Sequence, residues 1–255
     1  MPLLQIKQLC VSFGEERILN DLNIECARGE FASFLGASGC GKSTLLRLVS
    51  KLRNPTSGEI SFEDEREENQ IGFVFQRPTL LPWLCAIDNA ALPLRINGSL
   101  RPKVQLDMAA EALELVGLHA GDFGKIPSQL SGGMQMRVSL ARAFVTKPSL
   151  MLMDEPFSAL DEVLRQQLCE TTLDLWKREG WTTLFVTHNV AEAVFLSQRI
   201  FILGGKPATI VDVIEVPFVE RTPALRSSPG FLELVAKVGA RLRDVVESHD
   251  GSGGE

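Results

Sequence analysis

The stretch "GASGCGKST", Gly36 to Thr44, has the spacing Gly-x4-Gly-Lys-Ser and follows the short apolar run "FASFL". A glycine-rich turn between a buried strand and a helix is a phosphate cradle. Gly36, Ala37, Ser38, Gly39, Cys40, Gly41 and Thr44 wrap backbone around the anion. Lys42 reaches the β- and γ-phosphates of a nucleoside triphosphate, and the Ser43 hydroxyl is the expected Mg2+ ligand. Farther along, "SLMLMDEP" is an apolar strand that ends in two carboxylates. Asp154 is placed to hold the Mg2+ through its shell. Glu155, one residue on and pointing elsewhere, is placed to orient and deprotonate an attacking water. A second anion-seeking turn, "LSGGMQMR", offers the hydroxyl of Ser131 and the backbone N–H groups of Gly132 and Gly133 where a helix begins. The first loop already surrounds the phosphates, so this second turn is expected to serve the nucleotide of a neighbouring subunit.

The elements that must position these residues are legible from periodicity. Leu9, Val11 and Phe13 alternate with polar or small residues, as do Leu22, Ile24 and Cys26, which indicates half-buried strands. After the glycine loop, "KSTLLRLVSKL" reads as a helix burying Leu45, Leu46, Val49 and Leu52. The charge run "EDEREEN", Glu63 to Asn69, reads as a solvated turn before the strand "IGFVF". From Arg77 to about Lys147 the apolar spacing lengthens to that of helices, with Val104, Met108, Ala112, Leu115 and Val116 on one predicted face. Strand and helix then alternate through "LMLMD", "EVLRQQLCETTLDLWKREG", "TTLFVTH", "NVAEAVFLSQ" and "RIFILGG", implying parallel strands with crossover helices. "SPGFLELVAKVGARLRDVV" reads as one amphipathic helix and "ESHDGSGGE" as a disordered end.

Composition narrows the classes. The 255 residues are 45% hydrophobic and 23% charged, which suits a globular protein, and a net charge of −6 gives no general attraction to nucleic acid. No run approaches the roughly 20 apolar residues of a membrane span, and Gln5, Lys7 and Gln8 interrupt the start where a signal peptide needs an apolar core. The chain is therefore expected to stay in the cytoplasm. Cys10, Cys26, Cys40, Cys85 and Cys169 are scattered, as are His119, His188 and His249, so reduced thiols and no metal cluster are expected.

Together "GASGCGKST", "LSGGMQ", "LMLMDE", "FSALD" and "VTH" resemble, over roughly residues 3–216, the nucleotide-binding subunit of ABC transporters, in which two copies sandwich two ATP molecules head to tail. The resemblance implies an α/β P-loop NTPase fold: a RecA-like core with a mixed sheet, an antiparallel β-subdomain and an inserted helical subdomain at about 77–147. The ATPase domain would span 1–220, and 221–255 would be a C-terminal helix and tail, too short for a folded regulatory domain. Carried over by residue, Ser131, Gly132 and Gly133 touch the γ-phosphate held by the partner. Gln76 contacts Mg2+ or the attacking water and links the core to the helical lobe. Ser158 and Asp161 belong to the loop joining the two ATP sites, and His188 bonds the γ-phosphate. Phe13 is the implied adenine platform, since the chain has no tyrosine, though it also continues the apolar face of Leu9 and Val11. Stacking is insensitive to the base, so some use of GTP is expected. The implied cofactors are ATP and Mg2+. The implied partners are a second copy in the ATP-bound state, integral membrane permease subunits and, indirectly, a periplasmic or extracellular solute-binding protein. The chain would sit peripherally on the cytoplasmic face of the inner membrane.

Two positions depart from the common pattern. Met134 stands where Gln usually follows the two glycines. In this it resembles, with "TLLPWL" and "LRSSPGFLELV", importers of sulfonates, taurine and nitrate. Cys40 puts a thiol inside the phosphate loop, either a target for thiol reagents or a tolerated small residue. Trp83, in "TLLPWL", either meets the coupling helix of a membrane partner or packs within the helical lobe. The implied function is the ATP-hydrolysing, energy-coupling subunit of an importer for a small anion. An exporter or lipid-transporter ATPase, and a soluble DNA-associated ATPase, are the alternatives. A small-molecule kinase would have no use for "LSGGMQ" followed by "DEP" and a switch histidine.

Overall fold

The computed structural model describes residues 2–63 and 71–250. In chain order the elements are β1 (Pro2–Phe13), β2 (Glu16–Ala27), β3 (Phe31–Gly36), α1 (Lys42–Val49), β4 (Ser57–Phe62), β5 (Ile71–Val74), α2 (Ala86–Asn97) and α3 (Pro102–Leu115). They continue with α4 (Gly132–Phe144), β6 (Leu150–Asp154), α5 (Glu162–Glu179), β7 (Thr182–Val186), α6 (Val190–Leu196), β8 (Arg199–Gly204), β9 (Thr209–Glu215) and α7 (Pro229–Asp250). The mixed α/β chain divides into two compact units, Met1–Arg66 with Thr182–Glu255, and Glu67–Trp181.

In the first unit, an antiparallel sheet of order β2-β1-β4 buries Leu4, Ile6, Leu9 and Val11 of β1 and Leu19, Leu22, Ile24 and Cys26 of β2. The remaining strands run β7-β3-β8-β9, with β3 parallel to both β7 and β8. Every residue of β3 is buried, as expected of a strand with both sheet faces covered. Its Phe34 stacks on Phe201 at 5.0 Å and its Phe31 meets Phe185 at 5.8 Å. The strand β9, which periodicity alone does not separate from β8, runs antiparallel to it with Val211, Val213 and Glu215 exposed, an alternation typical of an edge strand. The helix α1 is shorter than expected. It ends at Val49, Lys51 takes a left-handed φ of 58°, and Leu52 beyond that turn is 65% exposed instead of buried.

In the second unit, β5 and β6 are parallel and helices α2 to α5 surround them in sequence. The buried row of α3 is Gln105, Ala109, Ala112 and Leu113, continued by Val116, while Val104, Met108 and Leu115 are only half-buried. The face is rotated because Gln105, though polar, satisfies two backbone carbonyls from inside: its Nε2 donates to Leu100 O at 2.8 Å and Leu94 O at 3.4 Å. Gly72 marks a close approach, since a Cβ there would lie 2.4 Å from Met151 Sδ and 2.5 Å from Ala143 O.

The helix α7 runs to Asp250, so Glu247–Asp250, expected in the disordered end, continue the helix. The rest of that end, 251–255, lies outside the described residues, as does 64–69 of the expected charged turn. Among the described residues no helix is long and apolar enough to cross a membrane.

Candidate nucleotide site

Strand β3 delivers the chain straight into the glycine loop, and α1 begins at Lys42 behind Gly41 with no side-chain cap. The positive end of the helix thus faces the loop. Two glycines are sterically enforced. Gly41 has φ 104°, and a Cβ there would lie 2.6 Å from Leu19 Cδ2; one on Gly36 would lie 2.7 Å from Leu203 O. Gly39 has φ 78° but open space around it, so only its backbone conformation requires glycine. Lys42 is 5% exposed, and its ammonium donates to Gly36 O and Ala37 O, both at 2.8 Å. The Cys40 thiol sits 4.0 Å from that nitrogen and is buried; burial raises its pKa and the Lys42 charge only partly opposes this. The nucleophilic thiolate is therefore suppressed, which argues against ready attack by thiol reagents.

On the neighbouring strand, the β3–β7 register pairs Phe34 with Val186, so Gly36 and His188 both stand two residues past that pair at the carboxyl ends of parallel strands. Ligands of open α/β sheets bind at such ends. His188 is exposed on a turn secured from both sides. Thr187 Oγ1 donates to Glu192 Oε2 at 2.5 Å and accepts from Asn189 N, while Asn189 Oδ1 caps α6 through Ala191 N and Glu192 N. The spacing Asn189-x-x-Glu192 is a helix-start signal that could have identified this support from sequence. Phe13, at the end of β1, is 38% exposed, whereas Leu9 and Val11 are buried, and the Arg53 guanidinium lies 3.6 Å over its ring.

The second unit repeats the arrangement. Val74 pairs with Met153, which puts Gln76 and Glu155 level, each two residues past the pair. Asp154, the last residue of β6, is 7% exposed. Glu155 has φ 45°, a left-handed conformation that L side chains other than Asn and Asp rarely take. Its carbonyl accepts from Ser158 N at 3.2 Å and Ser158 Oγ at 2.9 Å, and Gln76 Nε2 donates to that same Ser158 Oγ at 3.3 Å. Gln76, Glu155 and Ser158 are therefore one hydrogen-bonded group. Ser131 caps α4 by accepting from Met134 N, and Asp161 caps α5 by accepting from Leu164 N. A Cβ on Gly133 would lie 2.2 Å from Leu164 Cδ2, whereas one on Gly132 would meet nothing within 4 Å. Close packing of α4 on the start of α5 explains Gly133 but not Gly132.

Trp83 is 72% exposed. Its turn is held from beneath by the fully buried Asn89, whose Oδ1 accepts from Leu81 N and whose Nδ2 donates to Leu81 O, Leu84 O and Cys85 O. Arg142, near the end of α4, donates to Thr79 O at 2.7 Å and Thr79 Oγ1 at 2.9 Å. Neither support is readable from local spacing, because each joins segments by side-chain reach to backbone. The first unit offers the Ser43 hydroxyl and the second the Asp154 carboxylate and the Gln76 amide oxygen, each of them the hard-oxygen chemistry that suits Mg2+.

The protein-family profile described as ABC transporter matches residues 19–158. The aliphatic sulfonates import ATP-binding protein SsuB of a Bacillus cereus strain is 40% identical over 230 residues, which is 88% of this chain and 88% of that protein. An uncharacterized ABC transporter ATP-binding protein of Methanocaldococcus jannaschii, MJ0412, is 38% identical over 90% of this chain and 86% of its own. Among solved structures, the dimeric post-hydrolysis state of the ATP-binding cassette MJ0796 bound to ADP and Pi superposes with a TM-score of 0.75 and 31% identity, covering 84% of this chain and 99% of that one.

Proposed function

Because the chain belongs to the ABC transporter family, we propose that it is the ATP-hydrolysing, energy-coupling subunit of a membrane importer. The observation that carries this reading is the phosphate loop. Its buried Lys42 ammonium stands at the head of an uncapped helix, on a turn whose Gly36 and Gly41 tolerate no side chain. Lys42 and the loop amides hold the β- and γ-phosphates of ATP, and Phe13 takes the adenine. Ser43, Gln76 and Asp154 would hold a Mg2+ ion, which when bound neutralises charge on the phosphates. Glu155 orients the attacking water and accepts its proton, and His188 bonds the γ-phosphate.

Ser131 and the Gly132 and Gly133 backbone serve the ATP of a second copy, and Ser158 and Asp161 join the two sites. The open space at Gly132 supports this, since nothing within its own chain requires a glycine there. Two copies would thus close on ATP and open on hydrolysis. Residues 1–220 form the ATPase domain, with a helical subdomain at about 77–147, and 221–255 append to it. Permease subunits dock through the exposed Trp83 turn, which places the chain peripherally on the cytoplasmic membrane face. A solute-binding protein supplies the solute to the permease. The relative that imports aliphatic sulfonates, together with "LSGGMQ", favours a small organic anion as that solute.

The test is a Glu155→Gln bait in native membranes, with and without ATP, followed by mass spectrometry of what copurifies. A multi-spanning permease with a sulfonate-type binding protein supports the importer. Recovery of only soluble or DNA-associated proteins would overturn it.

A further inference from the structure

Phe13 does not stand alone at the end of β1. The central carbon of the Arg53 guanidinium lies 3.6 Å from the centroid of its ring, the separation of stacked planes, so one face of the ring is taken by a cation. Arg53 is exposed, yet its place does not depend on a mobile side chain finding the ring. Past α1, Lys51 N donates to Leu48 O at 3.0 Å and Arg53 N to Arg47 O at 3.1 Å, so the chain folds back tightly on the helix end. Three residues later the same loop is fastened to β1, where Thr56 N donates to Cys10 O and Ser12 N donates to Thr56 Oγ1, both at 2.9 Å. The backbone around Arg53 is thereby fixed on one side to the end of α1 and on the other to β1, the strand that carries Phe13.

An aromatic ring at a strand end, 38% exposed, is free to rotate about its side-chain bonds unless something holds its plane. A guanidinium is planar, delocalised and weakly hydrated, so it stacks on aromatic faces where an ammonium would not. We propose that Arg53 is a positioning residue for the purine: it clamps one face of Phe13, fixes the ring plane and leaves the opposite face to the base. This rests on the reading of Phe13 as the adenine platform. Arg53 is stacked on the ring, so its effect is expected on the part of the ligand that stacks.

The test compares binding of ATP and of inorganic tripolyphosphate by calorimetry to the full chain and to Arg53→Ala, Phe13→Ala and the double variant. Removing the clamp is expected to weaken ATP about two- to fivefold, the scale of an exposed cation–π contact, and to leave tripolyphosphate unchanged. In the Phe13→Ala background the same substitution is expected to have no effect, because there is no ring to hold. Arg53→Ala that leaves ATP binding unchanged, or tightens it, overturns the clamp. Equal weakening of ATP and tripolyphosphate also overturns it, since Arg53 would then act as a charge on the phosphates. If Phe13→Ala alone leaves ATP affinity intact, the platform reading itself fails, a result distinct from failure of the clamp.

Discussion

Glu155 combines a proposed catalytic carboxylate with a backbone at φ 45°, and the two demands conflict. A left-handed conformation costs an L residue about 1–2 kcal/mol that glycine does not incur. Glu155→Gly is therefore expected to be about 1 kcal/mol more stable than Glu155→Ala in urea titrations, while neither hydrolyses ATP. Comparing the two variants cancels the lost side chain and isolates the backbone. A second residue-scale effect concerns Cys26, whose pKa is pushed up to about 12 from 9.0, first by burial and then by the Glu30 carboxylate. The folded state holds this proton more tightly than the unfolded chain. The contribution is thus fully present below pH 9 and is lost as pH rises toward 12, at about 1.4 kcal/mol per unit. Urea unfolding should show little of this loss between pH 7 and 8 and approach that slope between pH 10 and 11 in the natural chain, with a flatter dependence in Cys26→Ala.

The helix starts show where local sequence suffices and where it does not. Ser131 and Asp161 are readable as caps from type and spacing, and both accept from the third residue of their helices. Asp161→Ala should cost about 1 kcal/mol in thermal or urea unfolding, with Asp161→Asn recovering most of it. The two signature glycines, identical in sequence, are distinguished by their surroundings. Gly133→Ala drives a Cβ into Leu164 and should destabilise by about 1–3 kcal/mol. Gly132→Ala meets open space and should leave stability within about 0.5 kcal/mol or raise it, yet abolish ATPase activity of the dimer. Strands and helices are legible because burial imposes periods of two and 3.6. The α3 face departs from its hydropathy pattern because that pattern cannot anticipate a buried Gln105 that satisfies carbonyls at 94 and 100. Leu52 departs from it because nothing apolar marks the left-handed turn at Lys51. The Arg53–Phe13 stack joins residues far apart in sequence, a pairing that no local pattern encodes.

For the molecule as a whole, the proposed dimer makes a direct prediction. Glu155→Gln should elute at about twice the monomer mass in the presence of ATP and as a monomer without it, by size exclusion with light scattering. Addition of Gly132→Ala should abolish that shift without lowering the monomer's unfolding midpoint. The phosphate loop, the paired carboxylates and the signature turn are readable because each is a short contiguous word. The helix start beside His188 is readable from Asn189-x-x-Glu192 as well, whereas the Arg142–Thr79 contact and the Asn89 bonds that hold the Trp83 turn are not, because they are made by folding. Asn89 bonds to backbone atoms of the 81–85 segment, so these bonds do not depend on which side chains the turn displays. The exposed side chain of Trp83 can therefore be exchanged without loss of those bonds, whereas Leu81 and Leu84 are half-buried and Pro82 fixes its own φ. On the proposed docking of a permease there, the turn would be a graftable address label: exchanging Trp83 for the corresponding residue of a relative should change which permease copurifies while leaving the unfolding midpoint of the chain unchanged.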